Sequence, residues 1–147
     1  MNLLRKSMAL PPHELLLVLE AASCLGLARL CMVILPFRWI ARCVGTHMFE
    51  TLHTGLPRGQ AAAVWGIRRR IDSTSRHVSW DGSCLSKSLA VKVMLAWRGI
   101  PSTLYIGVRK SSESPNGFQA HAWVRAGVIE VTPRGASGTF TIIALFA

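Results

Sequence analysis

The hydrophobic pattern of the chain changes from helical to alternating after Pro101. Residues 13 to 35 show one long helical pattern, and residues 37 to 53 show a second, less regular one. The Gly- and Pro-containing stretch TGLPRG, at residues 54 to 59, predicts a linker. We therefore expect a helical N-terminal region over residues 1–59 and a second unit over residues 60–147.

The second unit begins with two predicted helices. The first runs from residue 60 to about residue 71, and the second from Cys84 to Arg98. Ser83 is the expected N-cap of the second helix, and Gly99 is the expected stop. Both predicted helices precede every predicted strand.

Four strands are expected after Pro101. Alternating or β-branched patterns occupy residues 102–110, 118–125, 128–132 and 134–146, and Ala126-Gly127 supplies a short turn. Helices followed by an antiparallel meander predict an α+β fold.

Composition excludes disorder and leaves the partner open. The chain has 147 residues, half of them apolar, and 17 Lys and Arg against 7 Asp and Glu, which gives a net charge of +10. That apolar content is enough for one folded domain. The positive excess favours an anionic partner such as a nucleic acid, a membrane surface or an acidic peptide. No nucleic-acid-binding motif is present, so we do not expect a nucleic-acid partner.

The N-terminal apolar segment, residues 21 to 37, contains Arg29 as its single charge. A membrane span needs about 20 apolar residues and tolerates a central arginine poorly. We therefore expect this helix to pack on the domain or to lie on a membrane surface. The prolines at 11 and 12 and the acidic residues Glu14 and Glu20 argue against a signal peptide, so a cytoplasmic protein is expected, with membrane association as the alternative.

One of the four cysteines occupies a position suited to chemistry. Cys24, Cys31 and Cys43 fall inside helical patterns, whereas Cys84 begins one. Unpaired N–H groups and the helix dipole at that position favour a thiolate and can hold an oxyanion. His121 lies within the predicted strand FQAHAWV, and a helix-start Cys followed by a strand His is the order of a thiol–imidazole pair. No metal-site spacing or cofactor motif is present, so no cofactor is expected.

Three separated motifs carry a resemblance to a known family. They are WDGSCLSKSLA at residues 80 to 90, WRGIPSTLYIGVRK, and FQAHAWV. Together they resemble the transglutaminase-like cysteine peptidases that remove the leader from lasso-peptide precursors. The resemblance implies a papain/transglutaminase-type core over residues 60–147, with Cys84 as nucleophile and His121 as general base and then acid.

The same resemblance implies partners. They are the precursor peptide, a separate leader-recognition protein and the lactam-forming cyclase. Two alternatives remain open: an acyltransferase or transglutaminase on the same fold, in which an amine replaces water, and a non-catalytic basic adaptor for membranes or nucleic acids. The adaptor predicts that Cys84→Ala changes nothing.

At the third site residue this sequence departs from the family pattern, because the Asp that relatives carry after the His-Ala-Trp strand is missing. Glu130, in VIEVT, is the candidate acid. A two-residue turn at Ala126-Gly127 would place Trp123 opposite Glu130 and make Glu130 a diagonal neighbour of His121. The alternative is that Thr132 or a backbone carbonyl holds the imidazole.

Overall fold

The computed structural model describes residues 11–76, 84–133 and 140–147. Its helices are α1 (Pro12–Ile34), α2 (Phe37–Val44), α3 (Arg58–Ser75) and α4 (Cys84–Ala96), and its strands are β1 (Thr103–Lys110), β2 (Phe118–Ala126), β3 (Ile129–Glu130) and β4 (Thr141–Phe146). Helices therefore precede an antiparallel sheet, and the α+β prediction is confirmed.

The second predicted helix is shorter than expected. It ends at Val44 instead of continuing to residue 53, and residues 49 to 57 contain no regular element. Gly45 has φ 145° and lies so close to the C-terminal residue that a Cβ there would overlap the Ala147 carbonyl. The chain leaves the helix here because it pairs with the end of β4: Thr46 and Met48 donate backbone N–H groups to Ala147 and Leu145.

The sheet has the order β3-β2-β1-β4, and each neighbouring pair is antiparallel. The first three strands form a meander as predicted. The prediction of a meander throughout is wrong, because β4 crosses over and pairs with β1 instead of β3. This crossover places β1 and β2 at the centre of the sheet, and β2 is the strand that contains His121.

The two faces of the sheet differ in what covers them. Side chains alternate along a strand, so the even-numbered residues of β1 and β2 share one face. That face packs against the helices and forms the main core, with Leu104, Ala122 and Val124 all buried. The odd-numbered residues form the opposite face, which we call the far face. A smaller buried cluster of Tyr105, Trp123 and Phe140 lies there.

Helix α1 is docked on α3 and α4 by a face of small residues. Ala21, Cys24, Leu25 and Ala28 are buried in the main core. Two ion pairs reinforce the contact: Glu14 with Arg70 of α3, and Glu20 with Arg98, which follows α4, at 2.5 Å. The main core therefore contains residues from both sides of the expected linker at 54 to 59.

The same helix is long and apolar enough to cross a membrane by length and composition alone. It has 23 residues, and 22% of its most apolar window is buried inside the protein. A core helix of a soluble protein or a signal sequence can meet the same criterion.

Candidate active site

Cys84 is the first residue of α4, and its half-buried side chain packs against the main core. The described part of α4 therefore begins at this cysteine. The expected N-cap Ser83, and Trp80 to Ser83 of the first motif, lie outside them.

Contacts along α4 place its first turn near the N-terminal half of β2. The Lys92 ammonium donates to the carbonyl of Ser102 just before β1, and one turn earlier the Ser88 hydroxyl donates to the carbonyl of Ala122 at 3.1 Å. Cys84 is one further turn along the axis, about 6 Å away. The helix start thus lies beside the part of β2 that carries His121.

Ser88 also joins the helix to the segment that follows β3. Its hydroxyl is 3.3 Å from that of Thr132, which accepts a 2.8 Å hydrogen bond from the backbone N–H of Val124. Ser88, Thr132 and Val124 are all buried. This network fixes α4, β2 and residues 131–133 relative to one another, because each buried polar group would lose its partner if one element moved.

The imidazole of His121 is held by a backbone carbonyl. Its Nε2 atom lies 2.9 Å from the carbonyl oxygen of Pro133. A carbonyl oxygen can only accept, so we assign the proton of the neutral ring to Nε2. The Nδ1 lone pair is then the basic site of the ring.

Aromatic rings fix the plane of the imidazole. Trp123 stacks at 6.1 Å between centroids, and Phe140 lies at 5.2 Å. Opposite His121 on β1 stands Gly107, where a Cβ would come within 3.0 Å of both Trp123 and Phe140. A glycine at this register position therefore makes room for the rings that surround the histidine.

The strand pattern sets His121 on the far face, whereas Cys84 packs on the helix side. Among the described residues, no hydrogen bond joins the Cys84 sulfur to the His121 ring. The direct pairing of the two side chains therefore stays a prediction.

Glu130 is not brought to His121. The predicted register is wrong, because Glu130 pairs with Arg125 and the turn consists of Gly127 and Val128. Gly127 has φ +57°, a conformation that suits the first turn residue of a tight hairpin. Arg125 is four residues along the strand from His121, so Glu130, which lies opposite Arg125, is about 13 Å from the position of His121 along the strand. The Pro133 carbonyl occupies the orienting position instead.

A second polar cluster lies further along the far face. The Tyr105 hydroxyl and the Arg125 guanidinium both contact the Glu50 carboxylate, and His53 lies 2.8 Å from the same oxygen. The hydrogen bond from Tyr105, followed by that from His53, lowers the pKa of Glu50. Burial, and secondarily the Glu50 hydrogen bond, raise the pKa of Tyr105. The cluster anchors the segment after α2, and within the described ranges no three His, Cys, Asp or Glu residues are grouped to hold a metal.

Sequence reasoning did not single out two of these groups. The Pro133 carbonyl belongs to the backbone and leaves no residue-type signal. Ser88 is one of several serines near the helix start, and only its contact with the Ala122 carbonyl distinguishes it.

Comparison with known proteins agrees with this architecture. The model of the transglutaminase-like superfamily matches residues 31–144, which is most of the chain. No curated protein and no solved structure gives a significant match. The chain therefore belongs to the transglutaminase-like superfamily.

Proposed function

We propose that this member of the transglutaminase-like superfamily is a cysteine peptidase that removes the leader from a lasso-peptide precursor. The superfamily supports cysteine peptidase or acyltransferase chemistry. The narrower role rests on the motifs around Cys84 and His121. The observation that carries the catalytic assignment is the hydrogen bond from His121 Nε2 to Pro133, because it leaves Nδ1 as the base.

The proposed reaction proceeds in two halves. Nδ1 of His121 takes the proton of the Cys84 thiol, and the sulfur attacks the carbonyl carbon of the scissile peptide bond. Backbone N–H groups at the start of α4 stabilise the oxyanion. The protonated imidazole then gives its proton to the departing amine, which leaves an acyl thioester on Cys84.

Water completes the reaction. His121 removes a proton from the water as it attacks the thioester, and the proton passes to the sulfur when the C–S bond breaks. An amine in place of water would give acyl transfer, which is the second candidate function. The superfamily match favours neither acceptor, so the assay below must detect both products.

The partners follow from the same proposal. They are the precursor peptide, a separate leader-recognition protein and the lactam-forming cyclase, with the cytoplasm as the compartment.

The test is to mix the protein with a lasso-peptide precursor and its leader-recognition protein and to follow the precursor by mass spectrometry. Cleavage should yield free leader with a newly formed carboxylate, whereas acyl transfer should yield leader joined to an amine. Cys84→Ala should abolish both products. Cys43→Ala, at an exposed cysteine of α2, is the matched control and should retain full activity.

Two further variants assign the remaining roles. His121→Ala should lower turnover by a factor on the order of 10³ while leaving precursor affinity unchanged, since a base acts on the chemical step. Glu130→Gln should keep full activity, because this residue lies away from the imidazole. Full cleavage by Cys84→Ala would overturn the proposal, and strong loss in Glu130→Gln would restore that residue to the site.

A further inference from the structure

The outer face of α1 is apolar although it is exposed. Its large side chains recur at helical spacing on the side opposite the small buried residues. Their exposed fractions are 66% for Leu16, 55% for Leu19, 57% for Leu27, 54% for Leu30 and 65% for Ile34. Helix α1 is therefore apolar on both sides, and its core contact covers only one of them. The exposed apolar side of such a helix needs a second apolar contact, in addition to the protein core.

The apolar surface continues through the corner between α1 and α2. Leu35, Phe37 and Trp39 are 43%, 43% and 52% exposed. A cavity of about 330 Å³ opens beside them between α1, α2 and α4, and its walls are almost wholly apolar. Leu27, Leu35 and Trp39 belong both to the exposed surface and to the cavity wall. We call this continuous surface of α1 and α2 the apolar face.

The charges around the apolar face are positive. Arg38 and Arg42 lie on α2, and Arg29 lies on the flank of α1 between its exposed and its buried side. None of the three forms an ion pair with another residue in the described part of the chain. Arg42 lies over the Trp39 ring at 5.6 Å. The two acidic residues of α1 are instead neutralised by arginines of the domain, through the Glu14–Arg70 and Glu20–Arg98 pairs.

The domain contacts decide how this surface can meet a bilayer. Ala21, Cys24 and Leu25 are buried in the main core, and the two ion pairs hold α1 against α3 and α4. A spanning orientation would expose that core face to lipid and break both ion pairs. Lying in the interface plane covers the outer face and leaves the core contacts intact.

We propose that the apolar face docks peripherally on a membrane surface that carries anionic lipid headgroups. The exposed leucines and isoleucine enter the boundary between headgroups and acyl chains, where an amphipathic tryptophan is also favoured. Arg29, Arg38 and Arg42 extend to the anionic headgroups, since a long basic side chain can keep its charge at that level. Charge complementarity selects a bilayer with anionic lipid over a neutral one.

The test compares binding of the full chain to phosphatidylcholine vesicles with and without phosphatidylglycerol, measured by flotation. The triple variant R29Q/R38Q/R42Q should lose binding by a factor on the order of 100, from about fivefold for each arginine. The matched control R58Q/R69Q/R76Q removes the same charge from exposed positions on α3 or just after it, and should bind nearly as wild type does.

A second pair of variants tests the apolar contribution. L30S/I34S shortens two exposed side chains that do not line the cavity, and should weaken binding by at least tenfold through the lost apolar area. The matched control V128S/I143S changes two exposed residues of the sheet region and should have no effect. Far-ultraviolet circular dichroism and thermal melting of each variant show whether the fold is retained.

Four outcomes would overturn the proposal. They are no flotation with anionic vesicles, equal binding to neutral vesicles, equal losses in both arginine triples, and unchanged binding of L30S/I34S. Binding that is measured with Cys84→Ala should match wild type, so the result is independent of peptidase activity.

Discussion

Among the residues that the structure describes, two basic side chains are buried, one on each side of the sheet, and their surroundings differ. Arg125, on the far face, is 6% exposed, and Lys92, between α4 and the start of β1, is 8% exposed. Both positions cost solvation energy, because a charged group loses water on burial. The two faces differ in how many hydrogen-bond acceptors surround the buried charged side chain.

Arg125 is surrounded by acceptors. Its planar guanidinium presents five N–H donors in fixed directions, which suits several acceptors at once. The acceptors are the Tyr105 hydroxyl at 2.8 Å, the Glu50 carboxylate at 3.1 Å, and the carbonyls of Thr51 at 2.8 Å, Leu52 at 3.4 Å and Gly127. The far face therefore holds a permanent cation in a preorganised polar network.

Lys92 has a poorer environment. In the described residues its hydrogen-bond partner is the carbonyl of Ser102, and apolar side chains form most of its surroundings. Burial lowers the pKa of Lys92 to about 8. The helix face thus gives stability through apolar packing, whereas the far face, which also carries His121, is the one equipped to orient polar groups.

Replacing Arg125 should produce the largest loss of stability. Arg125→Met leaves several carbonyls and the Tyr105 hydroxyl without their donor, so the free energy of unfolding should fall by about 3 kcal/mol. Urea unfolding measures it. Lys110→Met, at an exposed position of β1, should change stability by less than about 0.5 kcal/mol. Equal losses in the two variants would remove the distinction between the network and an ordinary surface charge.

A substitution at Gly107 tests the packing of the aromatic rings on the far face. A Cβ there meets Phe140 at 2.9 Å and Trp123 at 3.0 Å, so Gly107→Ala should lower the free energy of unfolding by about 1–3 kcal/mol and reduce turnover by displacing the rings around His121. Gly66→Ala is the control, because nothing lies within 4 Å of a Cβ at that helical position. It should stabilise the protein by about 0.5–1 kcal/mol. An unchanged free energy of unfolding in Gly107→Ala would contradict the close packing of Phe140 and Trp123 around Gly107.

Lys92 should give an effect that depends on pH. Its folded pKa of about 8 lies below that of an unfolded lysine, about 10.4, so the folded state loses the proton first. The unfolded state then binds more protons, and stability rises with pH between these values. Lys92→Met should be at least as stable as wild type at pH 7, and its advantage should shrink by pH 10. Thermal melts at pH 7, 8.5 and 10 measure this difference, and a constant difference would contradict it.

The sequence predicts most of the elements but not the contacts that end and connect them. Long periodic segments such as α1 and α4 are predicted nearly to the residue, because local spacing determines them. The end of α2 depends on the approach of Gly45 to Ala147, and the position of β4 depends on pairing with β1. Both are contacts between residues far apart in sequence, and periodicity contains no information about them.

The site shows the same division. The motifs identify Cys84 and His121, since residue type and order carry that signal. The turn lies at Gly127-Val128, one residue later than predicted, and this shift changes the residue opposite Glu130 from Trp123 to Arg125. Every other cross-strand neighbour in the hairpin changes with it. The acceptor that holds the imidazole is the backbone carbonyl of Pro133. Every residue has such a carbonyl, so only the fold shows which one contacts the ring.

The most direct test of a thiol–imidazole pair is the rate at which iodoacetamide alkylates each cysteine at neutral pH, resolved by peptide mass spectrometry. Exposed Cys43 is the internal reference, and Cys84 is half-buried. A pair predicts that Cys84 reacts faster than Cys43 despite its burial, and that His121→Ala slows Cys84 on the order of tenfold without changing Cys43. A Cys84 rate below that of Cys43, or one unchanged by His121→Ala, would contradict the pair.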